Sequence, residues 1–180
     1  MKMTLKILAL IVLTMSAGVF LLSIIFRLSG IYINTTPSFP LGLYKVVNQP
    51  VTKGAYVSFC PPQDAIFELA VARHYINPGD CPGGYGKLLK RVFAQAGDSV
   101  SIDQDGIQVN GQLLPNSGQL VLDADGQPLP QFHFAKQRLD VYEYLLLSDT
   151  NPQSFDARYF GLIRRAQIKH VVEPFLTWRS

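Results

Sequence analysis

Charge is nearly missing from the first 44 positions of this 180-residue chain: only Lys2, Lys6 and Arg27 interrupt them, and no acidic residue occurs there. Those three account for the whole net charge of +3, because the other 13 basic residues are matched by 13 acidic ones. A balanced body offers no basic stripe, which excludes nucleic acid as the expected partner. Cysteine is scarce as well, with Cys60 and Cys81 alone, which excludes a disulfide-rich scaffold. Histidine is limited to His74, His133 and His170. Neither their spacing nor that of His74 between the cysteines matches a zinc pattern, so no metal or other cofactor is expected. Repeats and low-complexity tracts are absent. Hydrophobic residues make up 48%, enough for a sizeable core and unlike a disordered composition.

The uncharged stretch has its own meaning. Residues 7–26 read ILALIVLTMSAGVFLLSIIF, about the length that crosses a hydrocarbon core of ~30 Å. This exceeds the ~7–15 apolar residues of a cleavable signal peptide, and Ser16, Ala17 and Gly18 sit inside the run, not after it. An uncleaved, single-pass anchor is therefore expected over residues 1–29. Lys2, Lys6 and the amino terminus on one side, against Arg27 on the other, put the N-terminus in the cytoplasm and residues 30–180 outside. That segment carries both cysteines, and an even count in an exported domain predicts a Cys60–Cys81 disulfide.

Beyond the anchor, short apolar runs alternate with Gly, Pro, Asn and Asp, the pattern of strands and turns. Strands are expected near 42–47, 56–59, 88–93, 99–102, 107–109, 120–122 and 142–147. Asp105-Gly106 and Asn110-Gly111 are hairpin-type pairs. Residues 64–74 form the best helix outside the anchor, after Pro61-Pro62 and before Asn77-Pro78-Gly79. Residues 103–138, rich in Gly, Gln and Pro, read as a cap excursion from the main sheet. The fold class is all-β with antiparallel sheets.

Three segments carry chemistry. In the first, Thr35-Thr36-Pro37-Ser38-Phe39-Pro40-Leu41-Gly42-Leu43-Tyr44, two prolines deny the chain a helix and present Ser38 rigidly about a dozen residues past the membrane. The second is Gly86-Lys87-Leu88-Leu89-Lys90-Arg91-Val92-Phe93. Strand alternation puts Lys90 on one face with Leu88 and Val92. An amine among apolar side chains loses hydration and its pKa falls, and only a neutral lysine can take a proton from serine. The third runs from Ser148-Asp149-Thr150-Asn151 to Ser154-Phe155-Asp156-Ala157-Arg158-Tyr159-Phe160-Gly161. Here Ser154 is a candidate to orient the amine, while Asp156 and Arg158 read as structural.

In this order, with Gly97-Asp98-Ser99-Val100 after the lysine segment and the Val109-Asn110-Gly111 hairpin after that, the segments resemble the type I signal peptidase superfamily. Within it, Pro37-Ser38-Phe39-Pro40-Leu41-Gly42-Leu43-Tyr44 is most similar to the TraF-type peptidases of conjugative plasmid transfer. The resemblance implies a Ser38–Lys90 dyad on an antiparallel β scaffold, with Ser154 positioning the lysine and Asp98, Asp156 and Arg158 as supports. It implies Thr36 as a side-chain donor to the oxyanion, beside the Ser38 N–H. It also implies cleavage of exported precursors at small side chains, with a pilin subunit as chief substrate, cyclisation as one fate of the acyl-enzyme, and other transfer proteins as partners. Ala157 departs from the general pattern, which has a second serine there. Three alternatives stand beside this reading: a housekeeping signal peptidase, an inactive assembly factor of the same fold, and a Ser-His-Asp hydrolase built on one of the histidines.

Overall fold

A computed structural model describes residues 2–178. The last two residues, and the side chains of Lys2 and Arg27 invoked above as flanking charges, lie outside the described residues. The chain divides into two compact units, residues 1–32 and 33–180.

The first unit contains helix α1 (Lys2–Leu28). Its window Lys6–Ile24 has a mean hydropathy of 2.6, and its length and composition suffice to cross a membrane. Apolar side chains such as Leu10, Leu13, Phe20 and Leu22 are exposed within this unit. A helix that is apolar all round is suited to lipid, not to one face of a water-soluble core.

The second unit is built on antiparallel strands. β1 (Ile31–Asn34) enters it, followed by β2 (Leu41–Val47), β3 (Tyr56–Phe59), helix α2 (Ala65–Ala72) and β4 (Leu88–Ala94). β5 (Ser99–Asp103), β6 (Gly106–Val109), β7 (Gln112–Leu113) and β8 (Phe134–Arg138) come next. β9 (Glu143–Leu147), helix α3 (Ala157–Phe160), β10 (Ile163–Arg164) and β11 (Ile168–Trp178) complete it. Seven strands make one sheet in the order β1-β2-β11-β3-β4-β9-β10, and four make a second in the order β7-β6-β5-β8. Val57, Val92, Leu145 and Leu147 from the first and Val100, Ile102, Ile107 and Val109 from the second bury their side chains in one core.

Local chemistry explains most of the elements. Asn110 and Gly111 adopt φ of 54° and 82°, the doubly positive turn that matches the twist of a hairpin, and they join β6 to β7. α2 is capped by Asp64, whose carboxylate accepts from the Phe67 N–H. It stops at Ala72, short of residue 74, because His74 takes a φ of 59°. Gly42 sits where β2 meets a bulge in β11. A Cβ there would lie 2.3 Å from the Leu176 carbonyl oxygen, so only glycine fits.

Two departures from the sequence reading have physical causes. Residues 120–122 form no strand; one bridge pairs Leu122 with Pro128. Side chains hold this segment instead: Gln131 donates to the Leu120 carbonyl, Arg73 to the Pro128 carbonyl, and Tyr75 to the Asp123 carboxylate. The longest strand, β11, went unpredicted because Pro174 interrupts its run. Proline is tolerated there because β11 pairs with β3 only up to Val172. Past that point its second edge has no strand partner among the described residues and a bulge begins.

Cys60 and Cys81 are joined in a disulfide, with Cα atoms 5.5 Å apart across 21 positions. Non-reducing peptide mapping of envelope-purified protein is expected to find the two peptides linked. Reduction should lower the unfolding free energy by about 3 kcal/mol on the chain-entropy account. Two alkylatable thiols in native protein would contradict the bridge.

Candidate active site

Ser38 follows β1 in a turn built by Asn34. The buried Asn34 amide donates to the carbonyls of Thr36 (3.0 Å), Phe39 (3.1 Å) and Pro40 (3.2 Å). Its Oδ1 accepts from the Thr36 backbone N–H and hydroxyl. Phe39 is buried edge-on against Tyr56, with centroids 5.0 Å apart, and the Tyr44 hydroxyl donates to the Pro40 carbonyl. One side chain and two aromatic anchors thus fold the Pro-x-x-Pro segment into a single shape and aim Ser38 inward.

Lys90 arrives from β4, opposite Val57 on β3. The expected alternation holds: Lys90 is only 2% exposed and lies between buried Leu88 and Val92 positions, while Arg91 is half-buried. Its Nζ is 2.9 Å from Ser38 Oγ and 2.9 Å from Ser154 Oγ, and the two hydroxyls are 3.0 Å apart. The three groups form a nearly equilateral triangle. Burial pushes the Lys90 ammonium down from 10.5 to about 8. The Asp156 carboxylate opposes that shift and the Arg158 guanidinium reinforces it. Between about 8 and 10.5 the unfolded chain holds a proton that the folded chain has released, so stability rises with pH across that window. Below it both states are charged, and the burial penalty is felt in full.

Ser154 is carried by the loop that leaves β9, the neighbour of β4. Arg158 organises this loop. It donates to the carbonyls of Asn151 (3.0 Å), Pro152 (2.5 Å), Ser154 (3.0 Å) and Asn116 (3.1 Å). It also pairs with Asp156 through Nε at 2.8 Å and Nη2 at 2.7 Å. Both side chains are 0% exposed. Asp156 in turn accepts from the Ser148 and Arg158 N–H groups. Burial alone would lower the Arg158 pKa, but the hydrogen bond and charge of Asp156 raise it on balance. Arg91, next to Lys90, donates to Asp149 at 3.0 Å and ties the loop to β4 from outside.

The other residues singled out in the sequence fall as follows. Thr36 lies on the same cleft as Ser38, its hydroxyl 3.0 Å from Asn34 Oδ1. Asp98 is away from the triangle and braces the start of β5, accepting from Lys53 (2.9 Å), Asn110 (2.7 Å) and the Gln95 N–H. Among the described residues, the side chains hydrogen-bonded to Ser38 Oγ are Lys90 and Ser154, and no histidine is among them. Asn34 was missed; its one signal is a polar residue just ahead of a proline-framed turn. Ser148, Thr150 and Asn151 lie within the third segment but drew no role. Their hydroxyl and amide groups turn out to grip the Ser38 turn.

A cleft of about 480 Å³ opens from the triangle, walled by Tyr75, Leu120, Leu129, Phe155 and Tyr159. A serine hydroxyl beside a buried amine, on the lining of a cleft, can attack a bound carbonyl and pass its proton to nitrogen.

The chain is similar to several known proteins. The family model described as signal peptidase, peptidase S26, matches residues 2–176. A plasmid transfer protein TraF from Escherichia coli is 50% identical over 151 residues, 84% of this chain and 85% of that one. A conjugal transfer protein TraF from Agrobacterium fabrum is 34% identical over 153 residues, 84% and 85% of the two chains. A solved signal peptidase I from Enterococcus faecalis is 22% identical, with 69% of this chain and 97% of that one aligned and a TM-score of 0.36.

Removing Arg158 would strand the Asp156 carboxylate in the core and free four carbonyls. Arg158→Ala is expected to destabilise the fold by about 3–5 kcal/mol. Thermal unfolding of the purified variant checks this, and a melting temperature within a degree of wild type would contradict it.

Proposed function

Because the chain belongs to the signal peptidase family, peptidase S26, we propose that it is a membrane-anchored serine endopeptidase with a Ser38–Lys90 dyad. The single observation that carries this reading is the triangle of Lys90 Nζ, Ser38 Oγ and Ser154 Oγ, with the amine buried and its pKa depressed to about 8. Neutral Lys90 takes the proton as Ser38 Oγ bonds to the scissile carbonyl carbon, whose π electrons move onto oxygen. Collapse expels the amine, which receives that proton from Lys90 and leaves an acyl-enzyme on Ser38. Ser154 accepts a hydrogen bond from the amine and keeps its lone pair on Ser38. The Ser38 N–H is the proposed backbone donor to the oxyanion. Thr36 is the proposed side-chain donor, turning its hydroxyl from Asn34 to do so.

The anchor has Lys2 and Lys6 on one side and Arg27 on the other. The positive-inside bias then makes the helix an inner-membrane span with residues 30–180 in the periplasm, where a disulfide persists. The relatives are named as plasmid or conjugal transfer proteins. The substrate class is accordingly an exported precursor of a transfer apparatus, its pilin subunit foremost. An amine at high effective concentration can resolve the acyl-enzyme in place of water, giving a cyclic product.

In a processing assay, Ser38→Ala and Lys90→Ala should each abolish cleavage while leaving the chain folded. Lys90→Arg should be as inactive, since a guanidinium keeps its proton. Thr36→Val should cost about 100-fold. Activity should rise with pH through a limb near 8, as Lys90 loses its proton. Cleavage by Lys90→Arg within tenfold of wild type, or a flat profile from pH 6 to 10, would remove the dyad.

Deleting the gene in its native host should abolish conjugative transfer and mature pilin, with bulk export and viability intact. Accumulation of many unprocessed precursors would make it a housekeeping enzyme instead. Normal pilin maturation would leave an assembly role.

A further inference from the structure

Three side chains from residues 148–151 converge on the two backbone carbonyls that flank the Ser38 α-carbon. Asn151 Nδ2 donates to the Pro37 carbonyl at 3.2 Å. Thr150 Oγ1 donates to the Ser38 carbonyl at 2.8 Å, and Ser148 Oγ donates to the same oxygen. A carbonyl oxygen has two lone pairs, so the Ser38 carbonyl is saturated, by two hydroxyls from a loop more than 100 positions away. Holding the turn closed does not require this, because Asn34 and Tyr44 already bind the carbonyls of Thr36, Phe39 and Pro40.

We propose that Thr150 and Asn151 are positioning residues for acyl transfer, fixing the peptide planes on either side of Ser38 so that its N–H and its Oγ stay aligned on one substrate carbonyl. The inference rests on the reading of Ser38 as nucleophile. Its physics is that of the planar peptide. The Pro37 carbonyl and the Ser38 N–H are opposite ends of one rigid unit, so an amide holding the oxygen also sets the direction of the N–H. A hydrogen bond to that oxygen polarises the unit and makes the N–H a better donor. The Ser38 carbonyl belongs to the next unit. With both units held, φ and ψ at Ser38 are fixed, and so is the base from which Oγ projects toward Lys90. The grip comes from the same loop that carries Ser154, so nucleophile and lysine-orienting hydroxyl share one support.

This role differs from that of Ser154. Neither Thr150 nor Asn151 hydrogen-bonds to Lys90, and neither is among the groups that shift its pKa. Their loss should therefore lower the rate without moving the Lys90 titration.

The test uses the full-length chain in detergent and a quenched-fluorescent peptide, with small residues at the scissile bond, that wild type cleaves and Ser38→Ala does not. If no such pair of results can be obtained, the reading of Ser38 fails before this inference is reached. With it, Thr150→Val keeps the shape and removes the donor. Asn151→Ser keeps a short hydroxyl able to accept from the Gln153 N–H, removes the donor to Pro37 and adds no charge that would itself move the Lys90 titration. Each should lower kcat by roughly 10–100-fold, the scale of a small misplacement at a reacting centre. KM should stay within about threefold, and the pH limb near 8 should be unchanged. Binding of a peptide aldehyde that matches the acyl side of this substrate, and forms a hemiacetal with Ser38, should weaken in parallel with kcat/KM while the product peptide binds as before. Thr150→Ser restores the hydroxyl and should recover most of the rate. If Thr150→Val does not fold, Thr150→Ser and Asn151→Ser decide by the same readouts. Full kcat in either donor-deleted variant, a shifted pH limb, or equal weakening of aldehyde and product would overturn the proposal.

Discussion

The Asp156–Arg158 ion pair is the constraint on which the rest of the site depends. Two fully buried charges are costly to desolvate, and such a pair persists only where further hydrogen bonds satisfy both groups. Arg158 meets that condition with four loop carbonyls, and Asp156 with the N–H groups of Ser148 and Arg158. The carbonyls are those of Asn116, Asn151, Pro152 and Ser154, so satisfying the arginine also fixes the path of the loop. Ser154 Oγ is then held where it meets Lys90, and residues 148–151 where they meet Ser38. The charge pair does not take part in the triangle, yet it sets two of the triangle's three corners.

Lys90 is held under tension of a different kind. Its amine gains no full ion pair and loses water on every side, so the fold bears the cost of a charge at any pH below about 8. Strand β4 makes this tolerable because its neighbours β3 and β9 bury the backbone ladder on both sides. The strain falls on one side-chain group and leaves the sheet intact. The buried amine is thus carried by a strand that is paired along both edges.

Much of this was legible in the sequence because the informative signals are local. Alternation in 88–93 put Lys90 among apolar residues, and the structure has it there. Asn110-Gly111 announced its own turn. The uncharged run 7–26 needed only counting, and an even pair of cysteines sufficed for the disulfide. What was not legible depends on contacts across the chain. β11 was hidden because the tolerance of Pro174 is decided by β3 ending where it does. The apparent strand at 120–122 yielded to side-chain anchors from Arg73, Tyr75 and Gln131. Asn34 and the Thr150–Asn151 grip pair residues with carbonyls, and a carbonyl leaves no mark on sequence. Ser38 and Lys90 are 52 positions apart, and only their order among matching segments brought them together before the sheet did.

The Cys60–Cys81 bridge turns residues 60–81 into a closed ring, and that ring contains α2, Arg73, His74 and Tyr75. Those last three residues line the cleft. Part of the groove lining is therefore mounted on a hoop whose closure is a redox event, while Phe155, packed against Tyr75, and Tyr159 beside it are mounted on the arginine-knit segment. Neighbouring parts of one groove thus form by unrelated chemistry: one by folding alone, the other by oxidation as well. A reduced chain has its serine, lysine and ion pair in place but lacks the hoop under Arg73, His74 and Tyr75. Completion of the groove is thereby coupled to the redox state of the chain's surroundings.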